Sequence, residues 1–221
     1  MDIYHLVTGA FQANTYFVPV KTQESNALVI VDPGGDEDSI VSYIKKSGLQ
    51  PIAIVLTHGH FDHVGALPFL KKIYVNIKIG INSCDQQYLG KNGYELQHQS
   101  FSALGASELV SRVENKFLTL PDPDFFLEDN TIPYCMPGWQ VIHTPGHTPG
   151  SVCLYNKDEA KLLSGDTLFA GSCGRTDLLG GNMQDMNTSL QKLLELPDSV
   201  SVYPGHGSLT SIGRERSVYG W

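Results

Sequence analysis

The run Ile52-Ala53-Ile54-Val55-Leu56 passes directly into Thr57-His58-Gly59-His60-Phe61-Asp62-His63. An unbroken apolar run of this kind reads as a strand covered on both faces. Three imidazoles and a carboxylate then follow within six residues, His58 to His63, at the mouth of that strand. A packed core has no need of such ligand density. None of the group is a thiolate, which argues against a closed structural zinc site. The stretch predicts a metal centre carried on a loop at a strand end, where a rigid scaffold holds functional side chains in register.

The same grammar recurs outward from this loop. Apolar runs rich in β-branched residues cover 16–20, 27–31, 52–56, 75–79, 152–155, 161–163 and 200–203. Between them, residues 36–46 carry Ile40 and Ile44 on one stripe, with Gly48 placed to end the helix. Residues 184–196 place Met186, Leu190, Leu193 and Leu194 on one face before Pro197. Buried strands alternating with helices predict sheets sandwiched by helices, an α/β layered fold. The stretch 85–129 is the least legible, with one possible helix at 108–115. It reads either as a lid or as a surface excursion.

Each further ligand candidate also follows a strand and sits beside glycine or proline. His147 closes Thr144-Pro145-Gly146-His147, Asp166 follows Leu163-Ser164-Gly165, and His206 follows Tyr203-Pro204-Gly205. Seven candidates are too many for one ion, because a catalytic zinc takes three protein ligands and keeps a position open. They suit two ions and a shared carboxylate. Within the first loop, His58 and His60 turn toward one ion, while Asp62 and His63, past Phe61, turn toward the other. Imidazole and carboxylate suit zinc, iron or manganese alike.

The bulk properties narrow the partners. The chain has 221 residues, 41% hydrophobic and 17% charged, as expected of one globular domain spanning 1–221. A net charge of −8 without a basic stripe disfavours nucleic acid. No apolar run approaches the ~20 residues of a membrane span, and the N-terminus shows no secretory signal. Four scattered cysteines read as reduced thiols, so the expected compartment is the cytosol and the expected partner a small-molecule substrate.

Taken together, Thr57 to His63, Thr144-Pro-Gly-His-Thr-Pro-Gly-Ser151, Ser164-Gly-Asp-Thr-Leu-Phe169 and Tyr203-Pro-Gly-His-Gly207 resemble the metal motifs of the metallo-β-lactamase superfamily, in that family's order. The resemblance implies a four-layer αββα sandwich with the site at the sheet edges. It implies that His58, His60 and His147 hold one metal, that Asp62, His63 and His206 hold the second, and that Asp166 bridges. Asp32 in Val31-Asp-Pro-Gly-Gly35 matches an aspartate that supports the ligands in that family.

Within the superfamily, the best-known β-lactamases carry cysteine where this chain has Asp166, which disfavours an antibiotic-hydrolysing role. Flavodiiron proteins carry glutamate at the His60 position, and the family's nucleases need domains for which this chain has no room. The run from Gly165 to Asp177 is similar to glyoxalase II-type thioester hydrolases, in the short form lacking the C-terminal helical domain. The resemblance implies hydrolysis of thioesters such as S-2-hydroxyacylglutathione, with two divalent ions, zinc first and iron or manganese as alternatives. The Gly174-Arg-Thr-Asp177 run also occurs in persulfide dioxygenases, which use one iron; that reading stays open, as do another ester or lactone and a metal-stabilised scaffold without turnover.

Two ions about 3.5–4 Å apart share a water and lower its pKa toward roughly 7. Asp62 either steers that nucleophile or only ligates. Thr57, Thr148 and Asp32 either orient imidazoles or serve as turn and capping residues. Arg175 either meets a substrate carboxylate or pairs with Asp177. Cys173 reads as a buried filler, Tyr203 as core packing and His143 as a satisfied core histidine; His5 and His98 match no ligand position.

Overall fold

A computed structural model describes residues 2–22, 26–103 and 119–220. Its first sheet joins β1 (Tyr4–Thr8), β2 (Ala13–Lys21), β3 (Asn26–Val31), β4 (Gln50–Val55), β5 (Lys78–Ile81) and β6 (Phe125–Phe126) in that order. The pairing is antiparallel from β1 to β3 and parallel from β3 to β6. The second sheet takes β7 (Trp139–His143), β8 (Val152–Asn156), β9 (Lys161–Gly165), β12 (Ser201–Pro204) and β13 (Thr210–Ser211). There β12 runs parallel to β9, and the other pairs are antiparallel. A small hairpin of β10 (Leu168–Phe169) and β11 (Ser172–Cys173) follows β9. Among the described residues the α-helices are α1 (Glu37–Ser47), α2 (Phe61–Val64), α3 (Leu67–Ile73), α4 (Gly90–Ala103), α5 (Met183–Leu194) and α6 (Ile212–Tyr219), with a 3₁₀ turn at Ser83–Tyr88.

Side-chain alternation along the strands builds the layers. Ala27, Val29 and Val31 of β3 share a core with Val141, Leu154 and Leu163, so this face meets the second sheet. Leu28 and Ile30, out of phase by one, pack on Ile40 and Ile44 of α1 and on Leu67 and Leu70 of α3. On the far side Leu162 meets Leu190 and Leu193 of α5 and Ile212 of α6. Because both faces of each inner strand are apolar, a helix layer has to cover each sheet. The result is the αββα sandwich.

The expected helices lie where the stripes placed them. Asp36 precedes α1, and Gly48 closes it in the left-handed conformation (φ 67°), which a side chain would strain. Asn182 caps α5 by accepting the Gln184 and Asp185 amides. The expected strand at 75–79 is displaced. Tyr74 still donates to Leu70 O at the end of α3, and a turn bond from Ile77 N to Tyr74 O carries the chain past Val75, which is 70% exposed. Only then does β5 begin. The stretch 85–129 is also more regular than its composition implied, holding most of the 3₁₀ turn, all of α4 and β6. The possible helix at 108–115 lies outside the described residues.

Candidate metal centre

The centre assembles at the C-terminal ends of parallel neighbours. β3 and β4 finish side by side, which puts Asp32 against Thr57. Asp32 Oδ1 accepts the Thr57 amide (2.8 Å), and Oδ2 accepts the Thr57 hydroxyl (2.6 Å). With its proton committed to Asp32, that hydroxyl accepts from His58 Nδ1–H (3.1 Å). The Nε2 lone pair of His58 therefore points elsewhere. Asp32 Oδ2 also takes His63 Nδ1–H (3.1 Å), leaving His63 Nε2 as the free nitrogen. Asp32 adopts a left-handed backbone (φ 52°), a strain of ~1–3 kcal/mol that the surrounding bonds sustain. Of the two readings open for Thr57 and Asp32, orienting imidazoles or serving a turn, the bonds here run to His58 and His63.

The other ligand candidates arrive from the second sheet. His147, after β7, donates Nδ1–H to Arg175 O (2.7 Å) and turns Nε2 to within 2.8 Å of His60 Nδ1. Asp166 ends β9. Its Oδ1 lies 3.4 Å from His63 Nε2, and its Oδ2 lies 3.5 Å from His147 Nε2 and 3.6 Å from His206 Nε2. His206, after β12, lies 3.3 Å from His63 Nε2 and 3.2 Å from Asp62 Oδ2. Gly205 has no room for a side chain, since a Cβ there would collide with Asp166 Oδ1 and His63 Cε1.

All seven residues thus converge. The ligating atoms of His58, His60 and His147 lie within 4.8 Å of one another, as do those of Asp62, His63 and His206. Asp32, His58 and His63 form a third such group, but the Asp32 oxygens are already engaged by Thr57 and His63 Nδ1. His58, His63 and His147 each bond outward through Nδ1 and turn Nε2 inward, and the buried His58 Nε2, His60 Nε2 and Asp166 Oδ1 have no hydrogen-bond partner. Buried lone pairs set against one another need a cation. The donor set fits divalent ions.

Protonation follows the same division. Burial, reinforced by the charges of His63 and His147, holds His58 well below the usual histidine range. Burial and His147 do the same to His60. Burial also pulls His63 down, but Asp166, Asp62 and Asp32 outweigh it and raise the imidazole to about 10. His206 is likewise raised, its burial outweighed by the bond to Asp62 and the charge of Asp166. Asp62 is held below the usual carboxylate range because His63 and His206 overcome its burial.

Three further residues take definite positions. The hydrogen bonds of Thr148 run to Asp85 Oδ2 (2.7 Å) and Ser151 Oγ (2.7 Å) rather than to an imidazole. Asp85, which sequence reasoning passed over, also accepts the Gly59 amide (2.9 Å) and the Gly150 amide (2.7 Å), so it ties the His58–His60 loop to the His147 loop. Nothing in the sequence marks it, because its partners are remote in the chain. The Arg175 guanidinium is paired with Asp177 through Nε (2.7 Å) and Nη2 (2.8 Å), while its peptide oxygen holds His147. Cys173 is only partly buried: it packs against the core beneath α5 and also lines a cavity. His143 bonds Pro149 O (2.9 Å), and Tyr203 packs edge-on against Tyr16.

The cavity beside the cluster measures about 390 Å³. His60, Asp62, His147, Asp166 and His206 form its floor, and Phe11, Phe169 and Leu178 supply apolar wall. It is sized for a small molecule. Among the described residues, no helix is long and apolar enough to cross a membrane.

Residues 8–206 match the metallo-beta-lactamase superfamily. The chain belongs to that superfamily. It is 37% identical to the probable metallo-hydrolase YqgX of Bacillus subtilis, covering 94% of this chain and 91% of the relative. It is 33% identical to the hydroxyacylglutathione hydrolase GloC of Haemophilus influenzae, covering 98% and 95%. Among solved structures it resembles the BLEG-1 B3 metallo-beta-lactamase (TM-score 0.81, 34% identity, 98% and 97% covered) and TTHA1623 in a di-iron-bound form (0.75, 35%, 97% and 98%). Membership makes this chain one of a metal-dependent hydrolase superfamily, with the His and Asp sites for metal in place.

Proposed function

We propose that this protein hydrolyses thioesters, 2-hydroxyacyl thioesters such as S-2-hydroxyacylglutathione first among them, using two divalent ions. The observation that carries the two-ion reading is the pair of ligand groups, His58/His60/His147 and Asp62/His63/His206, with the two oxygens of Asp166 between them. A single iron needs only three of these residues and leaves the second group unused. The name and near-complete overlap of GloC support the thioester reading. Zinc heads the metals, with iron supported by the di-iron TTHA1623 and manganese by the donor chemistry.

Bound ions of this kind polarise a carbonyl and lower the pKa of water toward neutrality. The chain's own groups supply orientation. Asp32 and Thr57 fix His63 and His58, and Arg175 O fixes His147, so each imidazole presents a set nitrogen. Asp62 lines the cavity as a carboxylate, an acceptor able to align an attacking O–H. The apolar walls exclude bulk water from the acyl group. A thiolate leaves without a dedicated acid. Arg175 engages Asp177 through Nε and Nη2, which leaves its remaining guanidinium N–H groups available to a substrate carboxylate.

The test is metal analysis joined to turnover assays on zinc-, iron- and manganese-loaded protein. The expected result is about two ions per chain and oxygen-independent thiol release from S-lactoylglutathione. One iron with oxygen uptake on glutathione persulfide, or hydrolysis confined to β-lactams or lactones, overturns the proposal. The protein is expected to act in the cytosol on a small molecule and without nucleic acid or membrane; distribution after cell fractionation checks the first point.

A further inference from the structure

Helix α4 lies in the stretch that sequence reasoning could not interpret, yet it reaches the ligand loop. Gln97 is fully buried, and its Nε2 donates to Gly59 O (2.6 Å) and Tyr88 O (3.1 Å). That pins α4 to the peptide between His58 and His60. Ser100 follows at i+3, on the same face and ~4.5 Å further along the axis. It is 3% exposed, it lines the cavity together with His60, and its hydroxyl has no hydrogen-bond partner. Serine in a helix often folds its hydroxyl back onto the preceding turn; here it does not.

An unpaired buried hydroxyl calls for an explanation. The cavity lining mixes apolar Phe11, Phe169 and Leu178 with polar groups such as His60, whose buried Nε2 is also unpaired, and none of them bonds the Ser100 hydroxyl, which leaves it free for a group that fills the cavity. His60 turns Nδ1 toward the cluster and shares that wall, so atoms adjoining a carbonyl held at the cluster lie along the Ser100 side. A serine hydroxyl both donates and accepts, so it can bond a substrate hydroxyl in either sense. We propose that Ser100 Oγ is a specificity contact for the 2-hydroxyl of the acyl group, selecting 2-hydroxyacyl substrates over those with an unsubstituted chain. This rests on the thioester reading and deepens it. A site built to bond a substrate hydroxyl discriminates because the analogue leaves a polar group unpaired.

The test compares wild type with Ser100→Ala as full-length, zinc-loaded protein of verified thermal stability. One readout is kcat/KM for S-lactoylglutathione against S-propionylglutathione. The other, free of turnover, is the affinity for lactate against propionate by calorimetry. Chelation of lactate by a metal is common to both proteins and cancels. The expected result is that Ser100→Ala lowers both preferences about tenfold, the size of one neutral hydrogen bond. Thioester turnover with both preferences unchanged within about twofold overturns the Ser100 inference and leaves the thioester reading standing. No thioester turnover, with a lactate preference that Ser100→Ala removes, overturns the thioester reading and supports the Ser100 contact.

Discussion

Asp85 has no exposed surface, and its hydrogen-bond partners, the Gly59 and Gly150 amides and the Thr148 hydroxyl, all act as donors toward it. Burial pushes its pKa up, with those three bonds pulling the other way. An amide in its place would turn N–H against N–H. Asp85→Asn is therefore expected to cost about 1–3 kcal/mol in denaturant unfolding, since buried donors lose their acceptor. Asp32→Ala acts on the metal instead. It removes the acceptor of His63 Nδ1 and of Thr57, and metal affinity measured with a competing chelator is expected to fall about 10–100-fold. The imidazoles predict a pH dependence whose sign is fixed. His63 is raised to about 10, so at neutral pH it holds a proton in the metal-free protein, whereas His58 and His60 do not, and His206 is shifted in the same direction as His63. Metal uptake has to displace the His63 proton. Calorimetry at pH 7 in buffers of different ionisation enthalpy should show proton release on metal binding, and affinity should rise with pH. In the metal-free chain the His63 proton stabilises the fold fully below 6.5, and that contribution is lost as pH climbs through about 10.

The elements divide the task of positioning. β2 belongs to the first sheet, yet it holds the His206 loop of the second. Asn14 Nδ2 donates to Pro204 O (2.9 Å) and Gly207 O (3.0 Å), and Tyr16 donates to Pro204 O (2.7 Å). Asn14→Ala strands two carbonyls and should lower both thermal stability, by about 1–3 kcal/mol, and second-site metal occupancy by elemental analysis. Sequence reasoning found β2, because its run is apolar, but had no means to see this clamp, which pairs residues about 190 positions apart. α4 escaped notice for a different reason. Its inward face carries Gln97 and Ser100 rather than an apolar stripe, so the 3.6-residue signal is weak. β5 was misplaced because Val75 and Ile77 look like strand residues, while the end of α3 decides where the strand starts.

For the whole molecule, ligands from both sheets meet between them, so bound ions link the two halves of the sandwich. Metal present at about a thousandfold over its Kd adds roughly 4 kcal/mol. Exhaustive chelation should then lower Tm by about 8–16 °C for a chain of this size, and zinc should restore it. The sequence by itself determined buried strands alternating with helices and the seven candidate ligands, while the αββα layering was implied by the family resemblance. The first two follow from local chemistry: continuous apolar runs and period-3.6 stripes mark strands and helices, and His and Asp beside Gly or Pro at strand ends show themselves without a partner in view. Only the tertiary structure decided which nitrogen of each imidazole faces inward, that Asp85, bonded by the Thr148 hydroxyl, braces the loops, that Arg175 pairs with Asp177, and that Ser100 stands unpaired in the cavity wall. Those are properties of contacts between residues far apart in the chain. A hydrogen bond depends on where two groups end up, and no local pattern of residues records that.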